Sequence, residues 1–317
     1  MAWGIADALA DRYEVHILTN ERGCLTSAKR IAVHLVPRYP LMTVTYSTFL
    51  RPIISKVMGQ VSPNIIHSHI VLPFGYVFRS EKGTKRIINV SGSDVFPRKG
   101  YPTKLFLDSA LRDSTAVVSN SKWLARYVQE NYLVRPVVIP GGVDTRVFRP
   151  LGDSKSRKVI LFVGRFIKIK GILELIEAAR ALPEYEFWFA GKGPLEIPAL
   201  PNVRNLGFHR NRVPLYAGAS LCVFPSHYES FGLVGLEAMA CGRAVVATER
   251  GFSEYIENGR NGVLVKPHDV RLLVDSIRYL MKDEEARRRM EGNARKTAIQ
   301  YDWTVIAKRY EALYESL

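Results

Sequence analysis

Cysteine is scarce: Cys24, Cys222 and Cys241 are the three in a chain of 317 residues. The number is odd and no two have CxxC spacing, so neither a disulfide framework nor a cysteine metal site is expected. Cys222 and Cys241 stand in apolar runs, as buried thiols of a reducing compartment do. Long hydrophobic runs are also missing. No stretch reaches about 18 apolar residues, so no spanning helix is expected. Residues 1–12 lack the basic segment, apolar core and cleavage site of a secretory signal. The expected location is therefore cytoplasmic, with a peripheral membrane position as the further option.

Acidic residues are in deficit, 30 against 45 Lys and Arg, for a net charge of +15. The excess is uneven: residues 1–150 hold 20 basic and 10 acidic side chains, residues 151–317 hold 25 and 20. A basic first half suits phosphates or an acidic membrane face, and ordinary surface charge accounts for it equally well. Two local groups stand out, Lys82, Lys85 and Arg86, and then Arg98, Lys99 and Lys104. No recognition helix or aromatic single-strand motif accompanies the charge, so nucleic acid is not an expected partner.

What the chain does have is apolar material, 47% of its residues, in short β-branched runs that alternate with amphipathic stretches. Glu14–Thr19, Ile31–Val36, Ile65–His67, Arg86–Val90, Ala116–Ser119 and Val137–Ile139 read as strands, with helices over Leu105–Leu111 and Lys122–Asn131. The rhythm restarts with strands at Lys158–Gly164, Glu186–Ala190, Val203–Leu206, Leu221–Phe224, Ala244–Ala247 and Gly262–Val265. Helices are expected over Gly171–Ala181, Val270–Met281 and Glu284–Ile299. Apolar strands alternating with helices indicate parallel sheets with crossover helices, here an α/β protein of two doubly wound domains. The joint is Pro140–Asp153, rich in Gly and Pro. The expected division is 1–150, 151–300 and a closing helix over 301–317. The chain opens with a helix-like segment, Ala2–Leu9, where such a domain usually opens with a strand.

Two carboxylates, Glu229 and Glu237, bracket the segment Glu229-Ser-Phe-Gly-Leu-Val-Gly-Leu-Glu237. The strand Leu221–Phe224 precedes it, so the segment lies at a carboxyl end, where open α/β sheets bind ligands. A helix starting near Phe231–Gly232 would turn its first amides towards an anion. A carboxylate can grip a vicinal diol of a sugar or ribose. On spacing alone, a capping role for Glu229 and a solvent-facing Glu237 fit as well. The loop Gly164-Arg165-Phe-Ile-Lys168-Ile-Lys170-Gly171 follows another strand. Arg165 and Lys170 could converge there on one phosphate, or be surface cations. Gly191-Lys-Gly193-Pro is a glycine turn after a third strand. In the first half, His67 and His69 are expected on opposite faces of a strand end, leaving His69 for the ligand side. They lack a third neighbour for a metal, and no metal or cofactor is expected.

Taken together these residues resemble the family 4 retaining glycosyltransferases of GT-B fold. The likeness is dense in the second half: Gly164-Arg165, Lys170-Gly171, Gly191–Pro194, Pro225–Gly232, Glu237–Gly242, Asn261-Gly262 and Tyr301-Asp-Trp303. In the first half it is looser, with His67-Ser-His69, Ser119-Asn-Ser121 and Ile139-Pro-Gly-Gly142-Val-Asp144. The resemblance implies two Rossmann-like domains facing a cleft and a last helix returning to the first domain. It implies a metal-independent hexosyltransferase using a nucleoside-diphosphate sugar and a carbohydrate or lipid-linked acceptor. In that pattern Arg165 and Lys170 hold the diphosphate, beside Gly164, Gly191 and Gly193. Glu229 and the amides of Phe231, Gly232 and Leu233 hold the sugar, Glu237 the ribose, and His69 sits by the reacting carbon. The sequence departs from the pattern twice. The family's opening strand and glycine loop are not seen before Ala2–Leu9, and Thr248–Glu254 is shorter than the family's glycine turn. The alternatives are a degenerate paralogue binding an anionic surface and a nucleotide-sugar epimerase on the same fold.

Overall fold

The computed structural model describes residues 2–19, 30–36, 44–78, 83–96, 103–151 and 158–317. Cys24, Lys82, Arg98 and Lys99 lie outside them. The chain divides into two compact units, Met1–Gly141 with Trp303–Leu317, and Gly142–Asp302.

The first unit begins with α1 (Ala2–Leu9), β1 (Val15–Thr19), β2 (Ile31–Leu35), α2 (Val44–Val61) and β3 (Ile65–Ser68). It continues with β4 (Lys85–Val90), α3 (Thr103–Arg112), β5 (Ala116–Ser119), α4 (Lys122–Tyr132) and β6 (Val137–Val138). Helix α4 starts where Ser121 accepts a hydrogen bond from the Leu124 amide, and it ends at Leu133 in a left-handed conformation. The strands fall into two parallel sheets, β1-β2 and β3-β4-β5-β6. Every residue of β1 is half-buried, whereas the last four of β4 are buried. Strands β1 and β2 pair with each other and with no other described strand. Leu50 and Ile54 of α2 pack with Ile66 of β3 in one core; Leu107, Leu111, Leu124 and Val128 of α3 and α4 pack with Ile88 and Val90 of β4 in another.

The second unit runs β7 (Val159–Val163), α5 (Ile172–Ala181), β8 (Glu186–Ala190), β9 (Val203–Gly207), α6 (Val213–Gly218) and β10 (Leu221–Phe224). Then come α7 (Leu233–Ala240), β11 (Ala244–Thr248), the irregular turn α8 (Glu249–Phe252), β12 (Val263–Val265), α9 (Val270–Lys282) and α10 (Glu284–Gln300). Its sheet is all parallel in the order β12-β11-β10-β7-β8-β9. Strands β7, β10 and β11 are buried along their whole length, as a sheet covered on both faces requires. The connection reverses direction between β7 and β10, which opens a crevice beyond their carboxyl ends.

The boundary falls at Gly141 rather than at residue 150. Val143 is buried in the second unit's core and its amide bonds the Tyr301 carbonyl. The Arg295 guanidinium donates to the carbonyls of Thr145, Phe148 and Ala240, so the segment after Gly142 is fastened to α10 and to the end of α7.

The last helix, α11 (Trp303–Glu315), belongs to the first unit. It lies against α1 so closely that a Cβ at Gly4 would stand 2.3 Å from the Trp303 ring. Arg12 pairs with Glu311 at 2.7 Å.

Candidate active site

In the second unit, the loops after β7, β8 and β10 meet at the crevice. The Gly164 amide bonds the Ala190 carbonyl and the Phe166 amide bonds the Lys192 carbonyl, which joins the first two. The His227 amide bonds the Ile169 carbonyl at 2.9 Å, which joins the first to the third. Gly171 stands where these two cross. Its φ is +70°, and a Cβ there would lie 1.9 Å from the Pro225 carbonyl oxygen. Only glycine satisfies both demands.

Lys168–Lys170 form one 3-10 turn before α5. Arg165 is exposed, and Lys170 is mostly buried and paired with the Glu229 carboxylate. Helix α7 begins at Leu233, with Gly232 at its N-cap in a left-handed conformation, so the start expected near Phe231–Gly232 is shifted by a residue. Phe231 is buried, Leu233 is half-buried, and Gly191 is half-buried beside exposed Gly193.

Glu237, 9% exposed, does not face solvent. Arg212 grips it at both oxygens, Nε to Oε2 at 2.9 Å and Nη2 to Oε1 at 2.6 Å. The Tyr216 hydroxyl donates to Oε2 at 2.9 Å. Burial, reinforced by the charge on Glu237, holds that phenol well above its ordinary range, so it stays a donor. Sequence reasoning missed Arg212 and Tyr216. The signal was weak, since they sit on and before the short α6, 25 and 21 residues from Glu237. A carboxylate has about four lone-pair sites. Three donors leave Glu237 room to accept from a ligand hydroxyl.

In the first unit, the structure corrects the two histidines. Residues two apart share a strand face, and the rings of His67 and His69 stack at 4.3 Å rather than diverging. His67 Nδ1 is 2.6 Å from the Tyr314 hydroxyl of α11. His69 Nδ1 is 3.2 Å from the Asn89 amide, which also donates to the Tyr310 hydroxyl at 2.9 Å. Burial lowers both rings' proton affinity, His67 to about 4 and His69 well below its ordinary value. Both are neutral at pH 7.

The basic groups of the first half are partly committed to structure. Arg86 donates to the carbonyls of Phe78 and Asp113, and Lys104 to that of Asn131. Burial pushes the thiols of Cys222 and Cys241 up, the latter to about 12, which suits buried free cysteines.

Two family models match the chain. One described as Glycosyltransferase Family 4 covers residues 1–147, and one described as Glycosyl transferases group 1 covers residues 157–283. The chain belongs to the family 4 glycosyltransferases. It is 27% identical to an uncharacterised glycosyltransferase of Methanocaldococcus jannaschii, over 96% of this chain and 90% of that one. Sucrose-phosphate synthase from Thermosynechococcus elongatus superposes with a TM-score of 0.85 at 21% identity, covering 98% of this chain and 91% of that one. Anabaena HepE in complex with UDP-glucose superposes at 0.80 and 21% identity, covering 99% and 94%. At such identities the likeness establishes the GT-B fold of this glycosyltransferase.

Proposed function

We propose that this glycosyltransferase moves a hexosyl group from a nucleoside-diphosphate sugar to a carbohydrate or lipid-linked acceptor, with retention at the anomeric carbon and without a metal at the diphosphate. One observation carries the reading. Glu229 and Glu237 stand at the switch-point crevice of the second unit, each already opposite a cation, Lys170 and Arg212. The structure bound to UDP-glucose that shares the fold supports a nucleotide-sugar donor.

In this reading Arg165 and Lys170 meet the diphosphate, with Gly164, Gly191 and Gly193 letting the backbone come close. Lys170 exchanges Glu229 for phosphate, which releases the carboxylate and the amides of Phe231, Gly232 and Leu233 to the sugar. Glu237, oriented by Arg212 and Tyr216, accepts from the ribose. As the anomeric C–O bond breaks, negative charge grows on the leaving phosphate beside the two cations. Preorganised groups of this kind contribute about 3 kcal/mol each to the transition state. The departing phosphate then takes the acceptor's proton on the same face. His69 is the reading's residue next to the reacting carbon.

Calorimetry with UDP and GDP in chelator, paired with turnover measurements, tests this. We expect binding without a divalent ion. Glu237→Gln should weaken nucleotide binding about tenfold, a loss of ~1.4 kcal/mol. Glu229→Gln should leave that binding nearly intact and lower turnover by about a hundredfold, since its contacts tighten in the transition state. Exchanged phenotypes would refute the two roles, and binding only with added Mg²⁺ would refute the metal-independent diphosphate site.

A further inference from the structure

Three ligand-type side chains from distant segments of the second unit converge behind the loop that carries Glu229. Glu174 lies in the first turn of α5, His227 in the loop after β10, and His268 between β12 and α9. His227 Nε2 is 2.6 Å from Glu174 Oε1, and His268 Nδ1 is 3.1 Å from the same oxygen. The two rings lie 3.9 Å apart, centre to centre, and one ligand atom from each of the three residues falls within 4.8 Å of the others.

A plain hydrogen-bonded cluster leaves two features unexplained. The Glu174 side chain is only 14% exposed, and its other oxygen, Oε2, is buried with no hydrogen-bond partner among the described residues. A buried carboxylate oxygen without a partner is costly. His268, in turn, is held in the left-handed region at φ +67°, a conformation rarely adopted by non-glycine residues. That strained backbone brings its ring onto the other two.

We propose that Glu174, His227 and His268 form a binding site for a single divalent transition-metal ion of the zinc type. Two imidazoles and one carboxylate are a ligand set that Zn²⁺ accepts, with a fourth position left for water. His268 is 65% exposed, which opens the site to solvent on its side. Tetrahedral ligands at zinc distances lie about 3.3 Å from one another, so Glu174 Oε1 has to draw back from His227, at 2.6 Å, by roughly 0.7 Å and from His268, at 3.1 Å, by roughly 0.2 Å. The second carboxylate oxygen then turns to the ion or to its water. The ion would pin the start of α5 to the loop that presents Glu229, a structural role that stands apart from the diphosphate chemistry proposed above.

The test is Zn²⁺ alone, titrated into the chelator-stripped full chain in competition with a chromophoric chelator. We expect one ion per chain with a dissociation constant near or below ~1 μM. Glu174→Gln and His268→Ala should each weaken binding by at least about tenfold. His34→Ala should leave it unchanged, because His34 and its neighbour His16 form a separate histidine pair in the first unit. Excess Zn²⁺ should raise the thermal midpoint of the wild type by about 5 °C and that of the His268→Ala chain much less. Binding no tighter than ~100 μM, or equal binding by wild type, Glu174→Gln and His268→Ala, would overturn the site and leave a hydrogen-bonded cluster in its place. UDP binding measured in chelator on the same preparations reports on the donor site separately, so one reading can fail without the other.

Discussion

Burial at single residues sets the chemistry of the first unit's histidines. His67 loses solvent on folding, and its proton affinity falls from the ordinary 6.5 to about 4, chiefly through desolvation. A group that binds protons more weakly when folded makes the unfolded chain the better proton acceptor. The stability it contributes is complete above about pH 6.5 and is lost as the pH falls towards 4. His69 is shifted in the same direction by burial and by its neighbour, and extends the loss. Acidification from pH 7 to 4 should therefore destabilise the first unit, seen by denaturant titration at stepped pH. Replacing His67 by Gln, which can still meet the Tyr314 hydroxyl, should flatten that dependence. An unchanged slope in His67→Gln would show that other groups control it.

Between elements, α1 and α11 approach each other closely at Gly4 and Trp303. Replacing a helical glycine with alanine ordinarily stabilises by about 0.5–1 kcal/mol. At Gly4 the new methyl would meet the Trp303 ring at 2.3 Å, and overpacking costs about 1–3 kcal/mol. The clash wins, so Gly4→Ala should lower the first unit's stability. In a Trp303→Ala background the same change should become neutral or stabilising. Additive effects in that double-mutant cycle would mean that the contact is not the cause.

Elements of this kind were unevenly legible. Strands β7, β10 and β11 read directly from the sequence because burial on both faces demands unbroken apolar runs. Helix α2 escaped notice, since Pro52 interrupts its pattern. Short α6 was missed as well. Glu229 and Glu237 announced themselves by spacing and by the strand before them. Their cations were only half visible: Lys170 belongs to a loop already singled out, but Arg212 meets Glu237 only after the chain has folded through β10. The cluster of Glu174, His227 and His268 was invisible for the same reason, its members being 53 and 94 residues apart. Local pattern reports elements, whereas pairings across a sheet depend on topology.

At the scale of the whole molecule, the first unit is discontinuous, Met1–Gly141 closed by Trp303–Leu317, and the second is one uninterrupted stretch. A chain ending at Asp302 loses Tyr310 and Tyr314 from beside Asn89 and His67, and Trp303 from beside Gly4. It should show a strongly destabilised first unit, while the second still binds nucleotide within about threefold of the full chain, a shift of ~0.6 kcal/mol. Thermal unfolding and calorimetry with UDP on the two chains distinguish these effects. Loss of nucleotide binding in the shortened chain would tie the second unit's integrity to α11. Charge belongs to this scale too. With Arg86 and Lys104 bonded to backbone carbonyls, part of the basic excess of the first half is tied to the unit's own backbone.

The return of α11 to the first unit also fixes an order of events on the ribosome. Everything the second unit needs has been translated before Trp303 is added, whereas the first unit must wait for residues made after all of the second. Of the two units, the one whose strands are translated earlier is thus the one completed later. During that interval α1 and the ends of β3 and β4, where His67 and Asn89 meet Tyr314 and Tyr310, lack the helix that packs on them, and this nascent surface is where a holding chaperone would have its longest opportunity to act.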